Sequence, residues 1–359
     1  MRQLVPSLAG ALILSSVVVA IGGAALLFAE PFYQRIVFGF LVNLIVVVGL
    51  QVFMGNSDIT SYGHISFMAI AAYLVAILAT PVAIKRTALA TAPFGLSELQ
   101  LGIVPSVLIA ILITVFIAAV VGTMLVRQTG VPASIATLAF LVIVHVVIVN
   151  WVDLTRGPRA IYGVPVKANL VWATACAVFA IVVARLFRDS RWGLQLRAAS
   201  QNIAAAGAMG VRIKRLRLAA WILSAAFLAT AGVLFTLFVG TISPNSFYYD
   251  LTFLTLAMLI LGGSSVSGAV AGAVVVTFGV EVMRFLENGP VLAGVKLPEM
   301  FGLTGLFLGA IIVLCMALRP GGLIGADEID EIWRQRSRAR ATEVDSALST
   351  LRERAAAKG

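Results

Sequence analysis

Residues 36–54 read IVFGFLVNLIVVVGLQVFM and residues 65–84 read ISFMAIAAYLVAILATPVAI. Neither stretch contains a charged side chain. A helix needs about 20 apolar residues to cross a hydrocarbon layer about 30 Å thick, and each stretch meets that length. Between them stands Gly55-Asn56-Ser57-Asp58-Ile59-Thr60-Ser61-Tyr62-Gly63-His64, a polar and small-residue break. Two uncharged runs hinged on such a break make a pair of membrane helices, and that reading sets the fold class for the rest of the chain.

The pattern repeats on both sides. Of 359 residues, 60% are hydrophobic and only 12% are charged, against about 25% charged in a soluble domain. A water-soluble fold could not hide so much apolar surface, and a bilayer absorbs it. About ten candidate spans emerge: Leu8–Ala29, Ile36–Met54, Ile65–Ile84, Ile103–Val126, Ala133–Trp151, Asn169–Phe187, Leu216–Val239, Leu251–Leu261, Ala269–Phe285 and Phe301–Leu318. The eighth is short and must borrow from the Phe247–Tyr249 side or be a half-helix. The first, with only Arg2 ahead of it, is long enough to be a retained span rather than a cleaved signal. The expected fold is an all-α polytopic membrane protein, with a transmembrane domain over 1–325 and a tail over 326–359.

Basic residues set the orientation. Arg188, Arg191, Arg197, Arg212, Lys214, Arg215 and Arg217 lie between the sixth and seventh spans, opposed by Asp189. Arg319, Arg334, Arg336, Arg338 and Arg340 follow the last span. Both clusters are expected on the cytoplasmic side, and an even number of spans between them makes the two assignments agree. Both termini then lie inside. Lys85, Arg86, Arg156, Arg159 and Lys167 fall on the opposite side in smaller groups. In the tail, Asp327, Glu328, Asp330 and Glu331 precede the arginines, the order that suits a helix dipole. Ile329, Ile332 and Trp333 share a face, so an amphipathic helix is expected there.

The composition excludes several function classes. The net charge of +10 arises at span ends, where it reports topology rather than nucleic-acid binding. No HExxH, CxxC, Walker A or GxSxG motif is present. Cys176 and Cys315 lie in apolar runs and read as packing residues. Buried charge is scarce: Glu281 and Arg284 are three apart and can pair, Asp153 and Arg185 sit at span ends, and His145 reads as a packing residue. An ion-coupled carrier would need more intramembrane carboxylates, so the energy source is expected outside this chain. Gly268 with Gly272, Gly305 with Gly309, and Ala225 with Ala229 have the spacing that lets helices approach closely. Read from its residues, the break at 55–64 is either a short cytoplasmic loop or non-helical backbone near membrane depth, with glycines at both ends supplying unusual geometry.

Five stretches carry a family resemblance, in order from about residue 38 to 325. Gly55-Asn56-Ser57, Ser61-Tyr62-Gly63-His64, Phe67 and Ala72-Tyr73 resemble the GNSGxxSFGHxxFxxxGAY pattern of permease subunits of branched-chain amino acid (LIV-type) ABC importers. Thr155-Arg156-Gly157 with Tyr162-Gly163-Val164-Pro165 resembles that family's TxGxxGxxGIP loop. Arg197-Ala198, Asn202, Ala205-Ala206 and Ala208-Met209-Gly210 are similar to its RAIRENExAAEAMG segment. Ile242-Ser243-Pro244-Asn245-Ser246-Phe247 with Leu261-Gly262-Gly263 matches SPxSF…LGG, and Arg319-Pro320-Gly321-Gly322-Leu323-Ile324-Gly325 matches RPxGLxG. The chain departs at Asp58, where the family has Gly, and at Gln201, Ile203 and Gly207, where it has acids. The stretch Gly262–Gly268 also lacks the family's middle glycine.

The resemblance implies a division of labour. The chain would form half of a pore with a second homologous permease. Two cytoplasmic ATPase subunits would bind ATP and magnesium, none of it held by this chain, and a periplasmic binding protein would deliver the substrate across a bacterial inner membrane. Branched-chain or related amino acids are the implied cargo; urea, amides and small carboxylic or aromatic acids are alternatives within the family, and an ion-coupled secondary carrier is the alternative outside it. The substrate pathway is expected along Gly55, Asn56, Ser57, Asp58, Ser61, Gly63, His64 and Phe67, with Asp58 partnered by His64. The coupling segment is expected within about 188–217, with Arg197, Gln201, Asn202, Ala205, Ala206 and Gly210 meeting an ATPase.

Overall fold

Hydrocarbon offers no partner to backbone N–H and C=O groups, so a chain crossing it must bond internally, as helices or as a closed barrel. The computed structural model takes the helical route; it describes residues 4–89, 92–289, 291–292, 295–296, 300–318, 321–325, 328 and 331. The helices are α1 (Leu4–Phe28), α2 (Pro31–Ser57), α3 (Ile65–Ala79), α4 (Val82–Ala88), α5 (Ile103–Leu125), α6 (Val131–Asn150), α7 (Val152–Thr155), α8 (Leu170–Asp189), α9 (Arg191–Gln201), α10 (Ile203–Ala208), α11 (Ile213–Val239), α12 (Tyr249–Gly262), α13 (Val266–Glu287) and α14 (Leu303–Leu318). Two short antiparallel pairings, Ile161–Tyr162 with Thr241–Ile242 and Val291–Leu292 with Val295–Lys296, join loops.

Every apolar run anticipated from the sequence is helical, but not every one is long enough to span. Seven of the described helices are long and apolar enough to cross a bilayer, or up to eight if α3 and α4 count as one bent span. α12 has 14 residues and α14 has 16, and the shortness of α12 was visible in the sequence. The stretch Ile65–Ile84, read as one span, is not a single helix. It breaks at Pro81 with a bend of 115°. Proline has no N–H to continue the ladder and pushes its predecessor out of the helical region; Thr80 accordingly has ψ 136°.

The core is the crossing of α2, α3 and α11. α2 is hydrophobic all round and buried from Phe40 to Val42 and from Leu44 to Phe53, as a helix enclosed by others must be. Small residues let these backbones meet: a Cβ on Gly232 of α11 would collide with the Met68 carbonyl of α3, and one on Gly49 of α2 with Leu228. At one end Phe38 stacks on Phe238 with ring centroids 3.6 Å apart. The helices at the edge differ. α5 and α6 leave Leu108, Leu112, Phe116, Ile135 and Ile143 exposed, the surface that lipid or another subunit covers.

The small-residue pairs read from the sequence divide. Gly268 and Gly272 do sit against the α12 backbone, at the Gly262 and Met258 carbonyls, whereas Gly305 and Gly309 have nothing within 4 Å. Ala225 and Ala229 are fully buried. The amphipathic helix expected after residue 326 lies outside the described residues, apart from Glu328 and Glu331.

Candidate functional site

The polar break is shorter than the sequence suggested. Gly55, Asn56 and Ser57 belong to the last turn of α2, where the Asn56 and Ser57 side chains donate back to the Val52 and Phe53 carbonyls at 2.9 and 2.7 Å. The chain leaves the helix at Asp58, whose φ of 54° is left-handed. A helix stop of this kind favours glycine because it has no Cβ to clash, which accounts for the family's glycine at this position. Aspartate is among the residues that tolerate it.

Gly55 and Gly63 serve a different purpose from the one expected. Neither has a positive φ; instead a Cβ on Gly55 would meet the Ser264 carbonyl at 2.6 Å and one on Gly63 would run into the Thr137 backbone of α6. Contacts with α6 pin the break in place: the Tyr62 N–H donates to Thr137 Oγ1 at 3.2 Å, and Ser134 Oγ donates to the Thr60 carbonyl at 2.8 Å.

The expected Asp58–His64 pair is corrected. Asp58 is exposed, while His64 is fully buried and its Nδ1 lies 2.6 Å from Ser61 Oγ. The imidazole is enclosed by aromatic rings, with Trp221 at 4.3 Å, Phe53 at 5.1 Å and Phe67 at 6.0 Å between centroids. Trp221 is itself fixed by its indole N–H, which donates to the Ala118 carbonyl of α5 at 3.0 Å. Asn56, Ser57, Ser61, Gly63, His64 and Phe67 are all buried, leaving Asp58 and Thr60 as the exposed members of the break. Elsewhere in the bundle, His145 stacks on Tyr248 at 3.8 Å, and Glu281 pairs with Arg284 at 2.8 Å as their spacing indicated.

The second candidate region is an elbow at the far end of α8. Ser190 ends α8 and caps α9, its Oγ accepting the Gly193 N–H at 3.2 Å. Asn202 ends α9 and caps α10, its Oδ1 accepting the Ala205 N–H at 2.9 Å. The single coupling segment read from the sequence is therefore two helices with a joint at Asn202. Arg197 lies in α9 and donates to the Arg188 carbonyl at 3.3 Å. Gln201, Asn202, Ala205 and Gly210 are exposed and Ala206 is half-buried. No residue of α10 is buried, and Met209 just beyond it is 85% exposed. Beside it runs a groove of about 460 Å³ with Trp192, Met209, Arg212 and Arg215 on its walls.

Next to the elbow is a cluster that the sequence did not reveal. Arg185 and Arg188, near the end of α8, are each 1% exposed. Both contact the equally buried Glu328, at 2.8 and 2.9 Å. The same carboxylate accepts the Val266 and Ser267 N–H groups at 2.9 and 3.1 Å, together with the Ser267 hydroxyl. Burial pushes the Glu328 carboxyl up, but Arg188, Arg185, Ser267 and the Val266 N–H together hold it below the usual carboxylate range. It is ionised at neutral pH. The available signal was two arginines inside the end of an apolar run, which require an anion from somewhere.

Among the described residues, no group of three or more His, Cys, Asp or Glu side chains could hold a metal ion. No solved structure matches the chain. The permease protein LivM of the high-affinity branched-chain amino acid transport system of Escherichia coli K12 is 27% identical over 320 residues, covering 79% of this chain and 68% of that protein. The Autoinducer 2 import system permease protein LsrC of Salmonella typhi is 27% identical over 260 residues, covering 64% and 73%; its counterpart in Salmonella choleraesuis is 29% identical over 185 residues, covering 47% and 51%. The family described as branched-chain amino acid transport system / permease component matches residues 32–316. The chain belongs to that family of ABC-type permeases and is a multi-pass membrane protein.

Proposed function

We propose that this chain is the membrane-embedded half of an ATP-driven importer for branched-chain or related amino acids, in a bacterial inner membrane. It pairs with a second homologous permease, receives substrate from a periplasmic binding protein, and is driven by two ATPase subunits that hold the ATP and magnesium. The observation that carries this reading is the family match over residues 32–316 joined to a helical elbow whose α10 buries none of its residues within the chain. In this reading α10 is the part that enters an ATPase groove, and the exposed Asp58 and Thr60 are the members of the break that a passing solute meets. The buried members, Asn56, Ser57, Ser61, Gly63, His64 and Phe67, together with the half-buried Gly55, hold the helices that shape the route. The chain crosses the membrane about ten times, with α12 and α14 as the short crossings and both termini in the cytoplasm.

The amino acid reading is favoured because the LivM match covers more of the chain than the LsrC matches do. A second reading, import of another small solute, is favoured by the LsrC relatives themselves. Both are tested by reconstituting the chain with its partner permease, ATPases and binding protein in proteoliposomes. The expected result is uptake of radiolabelled L-leucine that requires internal-facing ATP and survives a proton ionophore. ATP-dependent uptake of a different solute, with none of leucine, establishes the second reading. Uptake abolished by the ionophore and indifferent to ATP overturns both.

A further inference from the structure

The end of α8 buries two guanidiniums, those of Arg185 and Arg188, and buried cations need a matched anion. Here the anion comes from beyond α14, through a segment that the structure anchors closely. The Leu323 N–H donates to the Leu261 carbonyl at 2.8 Å and the Ile324 N–H to the Gly262 carbonyl at 3.2 Å. The backbones touch at Gly263, with φ 106°, and Gly322, with φ 79°, where a Cβ on Gly322 would lie 2.6 Å from the Gly263 backbone. This contact delivers Glu328 to a point where α8, the α12–α13 turn and α2 converge. Arg188 and Gln51 of α2 both donate to the Ser264 carbonyl, at 3.0 and 2.9 Å. Arg185 also faces Asp189 at 3.8 Å, so two cations are set against two anions.

We propose that Glu328 is a positioning residue for energy coupling: it clamps the base of α8, and with it the α9–α10 elbow, to the amino end of α13. Movement imposed on the elbow then reaches α13 and α2, instead of being spent on a swing of α9 against a stationary bundle. The proposal rests on the reading of the chain as an ATPase-driven permease. It differs from a simple anchor for the tail in one respect: an anchor fixes where the tail sits, whereas this clamp decides whether motion is transmitted.

The test uses the full complex with its partner permease and ATPases, in a background with Cys176 and Cys315 changed to alanine. Spin labels are placed on Leu108→Cys in α5 and Val275→Cys in α13, both exposed positions. Their separation is measured before and after trapping nucleotide with vanadate. In the parent background the distance changes on trapping. With Glu328→Gln, ATP hydrolysis stays within about twofold, while the fraction of molecules showing the change falls by about fivefold or more. Glu328→Asp restores part of it. Ser267→Ala, which removes one donor and leaves the ion pairs, gives an intermediate loss in a complex that assembles normally. If Glu328→Gln and Ser267→Ala both show the parent's distance change, the clamp proposal is overturned while the functional reading stands. If the parent complex neither hydrolyses ATP nor changes on trapping, the functional reading fails and takes the clamp with it.

Discussion

Two parts of this molecule are built from the same small residues and use them in opposite ways. In the crossing of α2, α3 and α11, Gly49 and Gly232 stand where an added methyl would collide with a neighbouring helix. In the elbow, Ala204, Ala205, Gly207 and Ala208 are exposed, and Gly207 has nothing within 4 Å. Composition alone makes the two regions look alike. What separates them is whether the small residues face a neighbour within this chain: those of the crossing do, and Gly207 and its exposed neighbours in the elbow do not.

The contrast breaks most visibly at Gly232. Gly232→Leu drives a side chain into the Met68 carbonyl; backbone cannot yield as a side-chain tip does, so the loss is expected at about 3 kcal/mol, the upper end for overpacked cores. A thermal melt of the detergent-purified chain, followed by size-exclusion chromatography, measures it. Gly207→Leu is the matched change in the elbow and should stay within about 0.5 kcal/mol of the parent. Comparable losses at both positions would erase the distinction.

An intermediate effect is expected at Ala205. Ala205→Trp should leave the melt of the isolated chain unchanged and weaken its association with the ATPase subunits by about tenfold, or about 1.4 kcal/mol. Titration of the ATPases against the nanodisc-embedded permease reads this directly. Unchanged association places the contact elsewhere on the cytoplasmic face.

The smallest effect sharpens the account of the break. Asp58→Gly relieves a left-handed residue but loosens the unfolded chain, and the two nearly cancel, leaving a change of under about 1 kcal/mol. Asp58→Val has no such relief and should cost about 1–2 kcal/mol in the same melt. Equal and larger losses with glycine and valine would mean that the carboxylate, which both remove, matters more than the left-handed backbone.

Most of the helical framework was legible because apolar runs of this length have few other fates. Each anticipated run is helical, with Ile65–Ile84 divided between α3 and α4, and the doubt over residues 251–261 was justified by a 14-residue α12. Pro81 was equally visible, yet the surrounding hydrophobicity masked the bend that its missing N–H imposes. Around residues 55–64 the motif was recognisable and its physics was not. The glycines read as points of unusual backbone, but they are points of contact with Ser264 and Thr137, which lie far away in sequence. His64 read as a partner for Asp58 because they are near in sequence; the left-handed turn at Asp58 sends the carboxylate outward while His64 turns in towards Trp221. Glu328 looked like one of several acids at the head of a surface helix. Its burial depends on Gly263 and Gly322 meeting backbone to backbone, a pairing that no local pattern announces.

The joints of the elbow have a consequence for how such proteins can be altered by insertion or exchange. Ser190 closes one helix and opens the next, and Asn202 does the same, so no spare residue separates α8, α9 and α10. One residue added to an α-helix advances its phase by about 100°. A single insertion near position 190 or 202 therefore turns the face presented by α10 away from wherever it now points, and a deletion does so in the other sense. The stretch from 190 to 202 has no freedom in length, although it tolerates substitution along its exposed side. Hybrids assembled from related permeases should keep it intact from one parent, with their junctions placed in the loops at the opposite end of the bundle, around 156–168 or 240–248, where a residue gained or lost leaves the phase of α10 unchanged.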